Sequence, residues 1–289
     1  MINLFVLGKK GLDALAGIHS ELHAHINAVI IGKDSAVQND YSSEIQAWSA
    51  QNQIRFYFRT EVNDAVLKQS KLNVAIGWRW LISLEIPLIV FHDSILPKYR
   101  GFNPLVSALI NGDQQIGVTA LVGTDEFDQG DIVGQRIISI EYPIKIEQAI
   151  DLISEQYALL LDEVLHQFIN GKLTQTPQDE TQATFSLWRD AEDYRIDWQQ
   201  DSALIKRTID AVGFPYQGAS TLMDGVEVRI FDAQIIPDVT IVNRCAGKVL
   251  FKHDDGYVIV CGSGLLKVKA FYNQQGELIQ PNKFRIRFQ

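Results

Sequence analysis

The sequence predicts an α/β fold in which a sheet-and-helix domain is followed by a smaller, β-rich one. Three observations favour this fold class. Short apolar runs alternate with helical stretches over most of the chain, as in a parallel sheet covered by helices on both faces. A polar segment at residues 172–184 interrupts this pattern. Beyond it, short strands separated by Gly and Asp turns are typical of a small barrel or sandwich.

The composition is that of an ordinary folded chain. Of 289 residues, 46% are hydrophobic and 21% charged, which excludes a disordered or low-complexity polymer. No apolar run reaches the roughly 18 residues that span a bilayer, and the first residues resemble a strand rather than a signal peptide. Cys245 and Cys261 are too few for a disulfide framework, so we expect a reduced, cytoplasmic protein without membrane contact.

Apolar periodicity predicts the elements of the larger domain. We expect strands at residues 2–7, 27–31, 54–58, 72–76, 88–91, 117–122 and 132–140. We expect helices at residues 12–22, 44–51, 61–70, 104–110 and 145–171, the last with a continuous apolar stripe. After the polar segment, which we interpret as a linker, a helix at 201–212 precedes strands at 226–231, 247–251, 257–260 and 265–270.

The charge distribution argues against a nucleic-acid partner. The net charge is -9, and residues 1–199 carry 15 basic and 26 acidic side chains. Residues 200–289 carry 11 basic and 9 acidic side chains, which is a weak excess. A dedicated nucleic-acid binder needs a strongly basic face.

Two motifs near the start of the chain have ordinary structural interpretations. Gly8 and Gly11 lie between a strand and a helix, where a tight turn or a phosphate cradle would fit. His19 and His23 share a helix face without a third ligand nearby, so a solvated face is favoured and no metal is expected.

The informative segment begins at residue 87. An entirely apolar strand, residues 88–91, is followed by His92 at its carboxyl end, where open α/β sheets bind ligands. Asp128 follows on a loop after another strand. A histidine and an aspartate at neighbouring strand ends are the components of a general base with its orienting carboxylate.

Three stretches carry a resemblance to a known family. They read FHDSILPKYRGFNPL, GVTALVGTDEFDQGDIVGQ and RIDWQQDSALIKRTIDAVGFPYQGA, and they occur in the family's order. The chain resembles, over nearly its whole length, the formyltransferases that use N10-formyltetrahydrofolate. The resemblance implies a Rossmann-like catalytic domain at 1–184 and a small OB-like β-barrel domain at 185–289.

By resemblance, His92 and Asp128 are the catalytic pair, and His92 removes the proton of an amine that attacks the formyl carbon. The family's asparagine, which polarises the formyl oxygen, falls at Val90, and valine has no donor. Losing one such donor costs about 100-fold or more. Asn103 is a candidate replacement; backbone N–H groups of the loop and a protonated His92 are others.

The resemblance also implies a co-substrate site. N10-formyltetrahydrofolate is expected to lie against two stretches of the larger domain, represented by Trp78, Arg79, Trp80 and Leu81 in one and by Asp125 and Phe127 in the other. Ordinary packing is the alternative for the two tryptophans. No metal is required by this chemistry.

The stretch FSLWRDAEDYRIDW resembles sugar N-formyltransferases that act on UDP- or dTDP-linked 4-amino-4,6-dideoxy sugars for surface polysaccharides. In that case Arg189 faces a phosphate and Trp188 or Tyr194 stacks on a base or sugar. An Arg–Asp ion pair in the linker is the alternative. Further contacts to the nucleotide sugar are expected from Lys98, Tyr99 and Arg100.

Two other functions compete with this one. The chain resembles members that formylate methionyl-tRNA, although its acidity argues against tRNA, whose phosphates require basic contacts. A binding module that lost activity with the asparagine is the second alternative. By analogy with the sugar enzymes, we expect a homodimer.

Overall fold

The computed structural model describes residues 1–35, 37, 39–281 and 283–289. Their contacts divide into two compact units. The first comprises residues 1–105, 114–140 and 149–187, and the second comprises 106–113, 141–148 and 188–289. The predicted α/β fold followed by a small β domain is confirmed. The predicted domain boundary after residue 184 stays a prediction.

In the described part of the first unit, nine strands form the sheets. They are β1 (Ile2–Val6), β2 (Ile26–Ile31), β3 (Phe56–Phe58), β4 (Leu72–Ile76), β5 (Leu88–His92), β6 (Arg100–Gly101), β7 (Gln115–Val122), β8 (Ile132–Ser139) and β9 (Phe185–Ser186). The chain's helices are α1 (Gly8–Ala16), α2 (Ser42–Gln51), α3 (Asp64–Leu67), α4 (Pro104–Asn111), α5 (Ile146–Ile169) and α6 (Ser202–Ala211), and short 3₁₀ helices lie at Ser20–His25 and Glu180–Gln182.

The main sheet has seven strands in the order β3-β2-β1-β4-β5-β7-β8. The first five are parallel, as predicted, but β7 runs antiparallel to β5 and β8 runs antiparallel to β7. The strands predicted at 117–122 and 132–140 are thus the antiparallel edge of this sheet. A parallel connection needs a dozen or more residues, and the short loop between Val122 and Ile132 returns the chain as a hairpin instead.

Burial explains why the central strands read as continuous apolar runs. Every residue of β1, β2 and β4 is buried, which is typical of strands covered on both faces. The apolar stripe of α5 is buried too, and Leu160 lies so close to Gly134 of β8 that a Cβ there would sit 2.8 Å from it. This packing confirms the long helix predicted over 145–171.

Two predicted helices are shorter in the structure. The helix expected at 12–22 is α1, which ends before Gly17. A Cβ at Gly17 would lie 2.5 Å from Ala158 of α5, so only glycine fits at this close approach. The helix expected at 61–70 is reduced to α3, whose N-cap Asn63 accepts from the Val66 amide. Gly11 lies within α1 rather than in a turn, and it lets the helix pack on β1, with 3.1 Å between its would-be Cβ and Val6.

The strands of the second unit form two four-stranded antiparallel sheets. They are β10 (Ala219–Met223), β11 (Val226–Ile230), β12 (Gln234–Ile236), β13 (Val249–His253), β14 (Gly256–Val260), β15 (Leu265–Val268), β16 (Phe271–Tyr272) and β17 (Leu278–Ile279). The sheet orders are β10-β11-β16-β17 and β12-β15-β14-β13. The C-terminal residues form two isolated bridges: Phe288 pairs with Met223 of β10, and Arg287 pairs with Lys248, just before β13. Phe271 and Phe288 are buried, and their rings stack on each other.

Among the helices that the structure describes, none is both long and apolar enough to cross a membrane.

Candidate active site

Strand β5 carries His92 to the carboxyl edge of the main sheet. The strand pairs with β4 on one side and β7 on the other, so its side chains are apolar until this last position. His92 pairs with Thr119 across the antiparallel ladder, and its side chain is only 8% exposed. The imidazole is therefore held by a rigid element rather than by a free loop.

The turn after His92 folds back over it. Thr119 Oγ1 donates to the Ser94 carbonyl at 2.7 Å and accepts from the Leu96 amide at 3.2 Å, while Ser94 Oγ donates to the Lys98 carbonyl. This network brings the backbone carbonyl of Tyr99 within 2.8 Å of His92 Nε2. The oxygen that holds the ring on this side thus belongs to the main chain.

Asp128 approaches the other ring nitrogen. Its Oδ1 lies 3.5 Å from His92 Nδ1, and its Oδ2 accepts from the Gly101 amide at 2.8 Å. Asp128 adopts a left-handed backbone conformation, with φ of 57°. The structure therefore brings together the two residues that the sequence predicted as a pair. The Gly101 amide holds the second carboxylate oxygen of Asp128.

The two ring nitrogens of His92 each face an oxygen. When Nε2 carries the proton, it donates to Tyr99, and Nδ1 is left facing the Asp128 carboxylate. Nδ1 then has a free lone pair 3.5 Å from a carboxylate oxygen of Asp128. The arrangement can accept a proton at Nδ1, as a general base must.

Two glycines allow the loops of this site to approach closely. A Cβ at Gly130 would lie 1.8 Å from the Val122 carbonyl oxygen, and one at Gly101 would lie 2.6 Å from the Ser186 carbonyl oxygen. Gly101 also has a φ of 102°, which side chains rarely adopt. Both motif glycines are therefore required by packing.

The segment 172–184, predicted as a linker, is built into the first unit. Thr176 pairs with Ile132, and Thr184 bonds to the Pro97 carbonyl through its amide and to the Tyr99 amide through its hydroxyl. Gln178 Nε2 donates to the carbonyls of Asp128 at 2.8 Å and of Gly130 at 2.7 Å. The linker interpretation is wrong because this segment forms hydrogen bonds with the loops of the site.

A buried charge cluster lies beside His92. Asp93 accepts from the Lys10 ammonium of α1 and from the Tyr157 hydroxyl of α5. Burial on its own raises the pKa of Asp93, but Lys10 and the two hydrogen bonds outweigh it and hold that pKa below its usual value. Burial and the Asp93 carboxylate raise the pKa of Tyr157 well above its usual range. The cluster fixes the end of β5 against two helices.

The comparisons with known proteins agree with this architecture. Residues 16–161 match the family described as formyl transferase, and residues 189–288 match the family described as formyl transferase, C-terminal domain. The chain belongs to the formyl transferase family.

A curated relative is the methionyl-tRNA formyltransferase of Streptococcus equi, which is 32% identical over 177 residues. That alignment covers 61% of this chain, and the chain spans only 55% of the relative's length.

Solved structures share the fold. The N-formyltransferase from Helicobacter canadensis, in complex with folinic acid and dTDP-3-aminofucose, aligns with a TM-score of 0.72 at 16% identity. The alignment covers 94% of this chain and 99% of that one. HypX from Aquifex aeolicus in complex with tetrahydrofolic acid aligns with a TM-score of 0.62 at 21% identity, covering 96% of this chain and 45% of that one.

Val90, at the position of the family's asparagine, has an apolar environment. It is half-buried and packs against the core cluster of Phe5, Ala28, Ile30, Ala75 and Leu88. A donor at this position is absent in this family member. The valine that replaces the family's asparagine therefore fits the apolar packing around the strand.

Asn103, the predicted replacement donor, lies directly before α4. It is half-buried and has a φ of 49°. Among the described residues, none hydrogen-bonds to its side chain, so its amide is not occupied by a structural contact. Its role as oxyanion donor stays a prediction.

The residues predicted to bind the co-substrate are partly exposed. Trp78 packs edge-on against Phe5 and against Trp80, and Arg59 lies 4.6 Å from the Trp80 ring. Arg79 is paired with Asp34. The exposed members are Arg79, Leu81, Asp125 and Phe127; Leu81 is 91% exposed and Phe127 is 64% exposed. The two tryptophans thus pack against neighbouring rings, and their contact with the co-substrate stays a prediction.

Arg100 is buried and bonded within the protein, and its contact with substrate stays a prediction. Arg100 is 1% exposed, and its guanidinium is bonded to Gln178 Oε1 and to both carboxylate oxygens of Glu180. Hydrogen bonding to Glu180 raises the pKa of Arg100 against the opposing effect of burial. Its two predicted companions differ: Lys98 is exposed, and Tyr99 is half-buried with a φ of 59°.

Trp188, Arg189 and Tyr194 all lie in the second unit. Trp188 is 62% exposed, and the other two are half-buried. Burial raises the pKa of Tyr194 and the nearby Arg189 charge opposes that effect. The buried Nε of Arg189 has no hydrogen-bond partner within the described part of the chain. The predicted linker ion pair with an aspartate is not formed among those residues.

Sequence reasoning missed three components of this site. The Tyr99 carbonyl and the Gly101 amide are main-chain groups, and no residue type signals them. Gln178 lies in a polar stretch whose composition is the same as that of a linker.

The described residues hold no group of three His, Cys, Asp or Glu placed for a metal.

Proposed function

We propose that this chain is an N-formyltransferase that moves a formyl group from N10-formyltetrahydrofolate to the amine of a nucleotide-linked sugar. The observation that carries the proposal is the His92–Asp128 pair at the carboxyl edge of the sheet, 3.5 Å apart and nearly buried. The acceptor we favour is a UDP- or dTDP-linked 4-amino-4,6-dideoxy sugar used for surface polysaccharide, such as a pseudaminic-acid-type sugar.

The residues present fit a planar, partly apolar co-substrate. Trp78 has a buried indole N–H without a hydrogen-bond partner among the described residues, and it faces Trp80 at 4.9 Å between ring centroids. Leu81 and Phe127 expose apolar surface to which a fused ring can bind. Bound N10-formyltetrahydrofolate would supply the formyl group.

The chain's own residues would manage the proton. The amine nitrogen would bond to the formyl carbon and leave a negative charge on the formyl oxygen. When this oxyanion collapses, the bond from the carbon to N10 breaks, and the amine loses one proton. His92 takes this proton at Nδ1, where Asp128 stabilises the charged ring. The same proton can then pass to N10 of the departing tetrahydrofolate. Asn103 is the side-chain donor we favour for the developing oxyanion.

Charge and the second unit favour a nucleotide sugar over tRNA. The net charge of -9 lacks the basic surface that a large phosphate backbone requires. The Nε of Arg189 has no hydrogen-bond partner among the described residues, and with Tyr194 near it this guanidinium is available to a diphosphate. The exposed Trp188 offers a ring for stacking on a base. The Helicobacter canadensis enzyme, which spans nearly the same length of fold, carries a dTDP-sugar.

Two other functions keep a specific observation in their favour. The Streptococcus equi relative is named methionyl-tRNA formyltransferase, which supports initiator tRNA as acceptor. Val90 in place of the asparagine donor supports a binding module without turnover. Cytoplasmic location and a homodimer accompany the favoured function as predictions.

One assay separates the three. Purified protein is mixed with N10-formyltetrahydrofolate and, in parallel, with UDP- and dTDP-linked 3-amino and 4-amino sugars and with charged initiator tRNA. Products are read by mass spectrometry and tetrahydrofolate release by absorbance. We expect formylation of a nucleotide sugar and none of tRNA. Formylated methionyl-tRNA alone would replace our proposal with the second candidate, and nucleotide binding without any product would replace it with the third.

A further inference from the structure

Gln178 joins the two loops that carry the candidate active site. Its amide nitrogen donates to the carbonyls of Asp128 and Gly130, at 2.8 Å and 2.7 Å. Its amide oxygen accepts from Arg100 Nε at 3.1 Å and Nη2 at 2.8 Å. The half-buried Gln178 side chain therefore hydrogen-bonds both to the loop of Asp128 and to the side chain of Arg100.

Arg100 makes this link rigid. Its guanidinium is buried and forked onto Gln178 and Glu180, with both bonds to Glu180 at 2.8 Å. Bidentate pairing of a guanidinium with a carboxylate fixes orientation as well as adding energy. A buried guanidinium that lost its partners would be costly, so Arg100 has little freedom to turn.

The contacts close into a ring around Asp128. Arg100 bonds to Gln178, Gln178 bonds to the Asp128 backbone, and the Asp128 carboxylate accepts from Gly101, the residue after Arg100. Asp128 is thus held by its main chain from one side and by its carboxylate from the other. Its left-handed φ of 57° is maintained by these contacts.

We propose that Gln178 is a positioning residue that places the Asp128 carboxylate against the His92 ring. Its effect on turnover rests on the proposed function, whereas its effect on Asp128 does not. Gln178 touches no reacting atom in this account and acts only through Asp128. A displacement of about 1 Å at such a site costs about 100-fold in rate.

The sharpest variant is Gln178→Glu. It keeps an oxygen for Arg100 but replaces the donor by a second oxygen, which repels the carbonyls of Asp128 and Gly130. The matched control is Gln182→Glu, which makes the same charge change at an exposed position of the same segment. Should Gln178→Glu fail to fold, Gln178→Met removes the same donor without adding charge.

Two readouts are measured on each variant. The Gly101 amide proton, followed by NMR in substrate-free protein, reports on its bond to Asp128, because an amide that donates to a carboxylate resonates downfield. Steady-state kinetics with the best amine report on turnover. For Gln178→Glu we expect an upfield shift of that proton, and a fall in kcat of about 10-fold or more with KM nearly unchanged. For Gln182→Glu we expect neither.

An unchanged Gly101 resonance in both Gln178 variants would overturn the proposal, whatever the rate. A shifted resonance with an unchanged kcat would overturn it as well, since Asp128 placement would then not matter to turnover. A wild-type protein without transferase activity would refute the proposed function, and the proposal for turnover with it, while the Gly101 resonance would still decide whether Gln178 places Asp128.

Discussion

His92 lies between two oxygens supplied by different parts of the chain. Asp128 is visible in the sequence as a partner, but the nearer oxygen is the Tyr99 carbonyl, at 2.8 Å against 3.5 Å. Every residue has a backbone carbonyl, and it is the turn at residues 93–99 that places the Tyr99 carbonyl against His92 Nε2. The main-chain carbonyl therefore orients the ring, and the Asp128 carboxylate faces its other nitrogen.

Replacing His92 by Asn should remove turnover while leaving nucleotide binding intact. The amide cannot take up the amine proton, and loss of a general base costs about 10²–10⁴-fold. Formyl transfer and nucleotide affinity are measured on the same preparation, with the exposed His25→Asn as control. A rate equal to wild type would remove His92 from the mechanism.

Asn103→Ala tests the missing donor. If the Asn103 amide replaces the family asparagine, the rate should fall about 100-fold. Because φ is 49° at this position, alanine also strains the backbone. Asn103→Gly removes the amide without that strain, so both variants should lose the same activity. A loss of less than about twofold in the glycine variant would assign the donor elsewhere.

At the scale of elements, the end of β5 is fixed by α1 and α5. Lys10 of α1 and Tyr157 of α5 converge on Asp93, next to His92. The side chains of Lys10 and Asp93 are 19% and 15% exposed, so this ion pair is far less screened than a surface pair. The strand end that carries the candidate base is therefore anchored electrostatically.

Asp93→Asn should destabilise the protein in a pH-dependent way. The lowered pKa of Asp93 means that its charge contributes stability above the unfolded-state value near 3.8, and that this contribution is lost as pH falls through the folded-state pKa. At neutral pH the variant replaces the charged pair of Asp93 with Lys10 by a bond to a neutral amide, which should lower the free energy of unfolding by about 1.5–3 kcal/mol.

Denaturant unfolding of wild type and Asp93→Asn at neutral pH and below pH 3.8 measures the difference. The gap should be wide at neutral pH and should shrink in acid. Asp13→Asn, which breaks the more exposed pair with Lys9, is the control and should cost about 0–1 kcal/mol. A gap that stays constant or widens in acid would contradict the assignment.

The segment at 172–184 shows how an element can be misjudged. Its composition is that of a linker, yet Thr176, Gln178, Glu180 and Thr184 bond to loops that lie far away in sequence. A polar segment is normally predicted to face solvent. It can instead pack on the protein when a buried polar group elsewhere in the chain needs hydrogen-bond partners. Arg100 is such a group, and its burial is not visible in local sequence.

At the scale of the whole molecule, the two cysteines differ in environment. Cys261 is fully buried in the second unit, and burial raises its pKa to about 12. Cys245 is partly exposed. Both are free thiols in the structure.

A thiol reagent at about pH 8 should therefore modify one cysteine per folded chain, since the thiolate is the reactive form. Cys245→Ser should abolish this reaction, and Cys261→Ser should leave it unchanged. In denaturant, wild type should react at both positions. Modification of Cys261 in the folded protein would contradict its burial.

Charge also acts at this scale. The excess of acidic residues lies in residues 1–199, which include the candidate catalytic pair. Such a field repels a polyanion but tolerates a small ligand whose phosphates meet one or two guanidinium groups. This balance is the whole-molecule reason for favouring a nucleotide sugar.

The sequence by itself determined the order of the elements, the buried parallel strands, the family and the pairing of His92 with Asp128. Those features follow from local periodicity and from motifs whose residues are adjacent in the chain. Only the tertiary structure decided that the sheet ends in an antiparallel hairpin, that Arg100 is buried, and that Gln178 and the Tyr99 carbonyl hold the site. These contacts join residues distant in sequence through main-chain groups and close approaches, and neither residue type nor spacing encodes them.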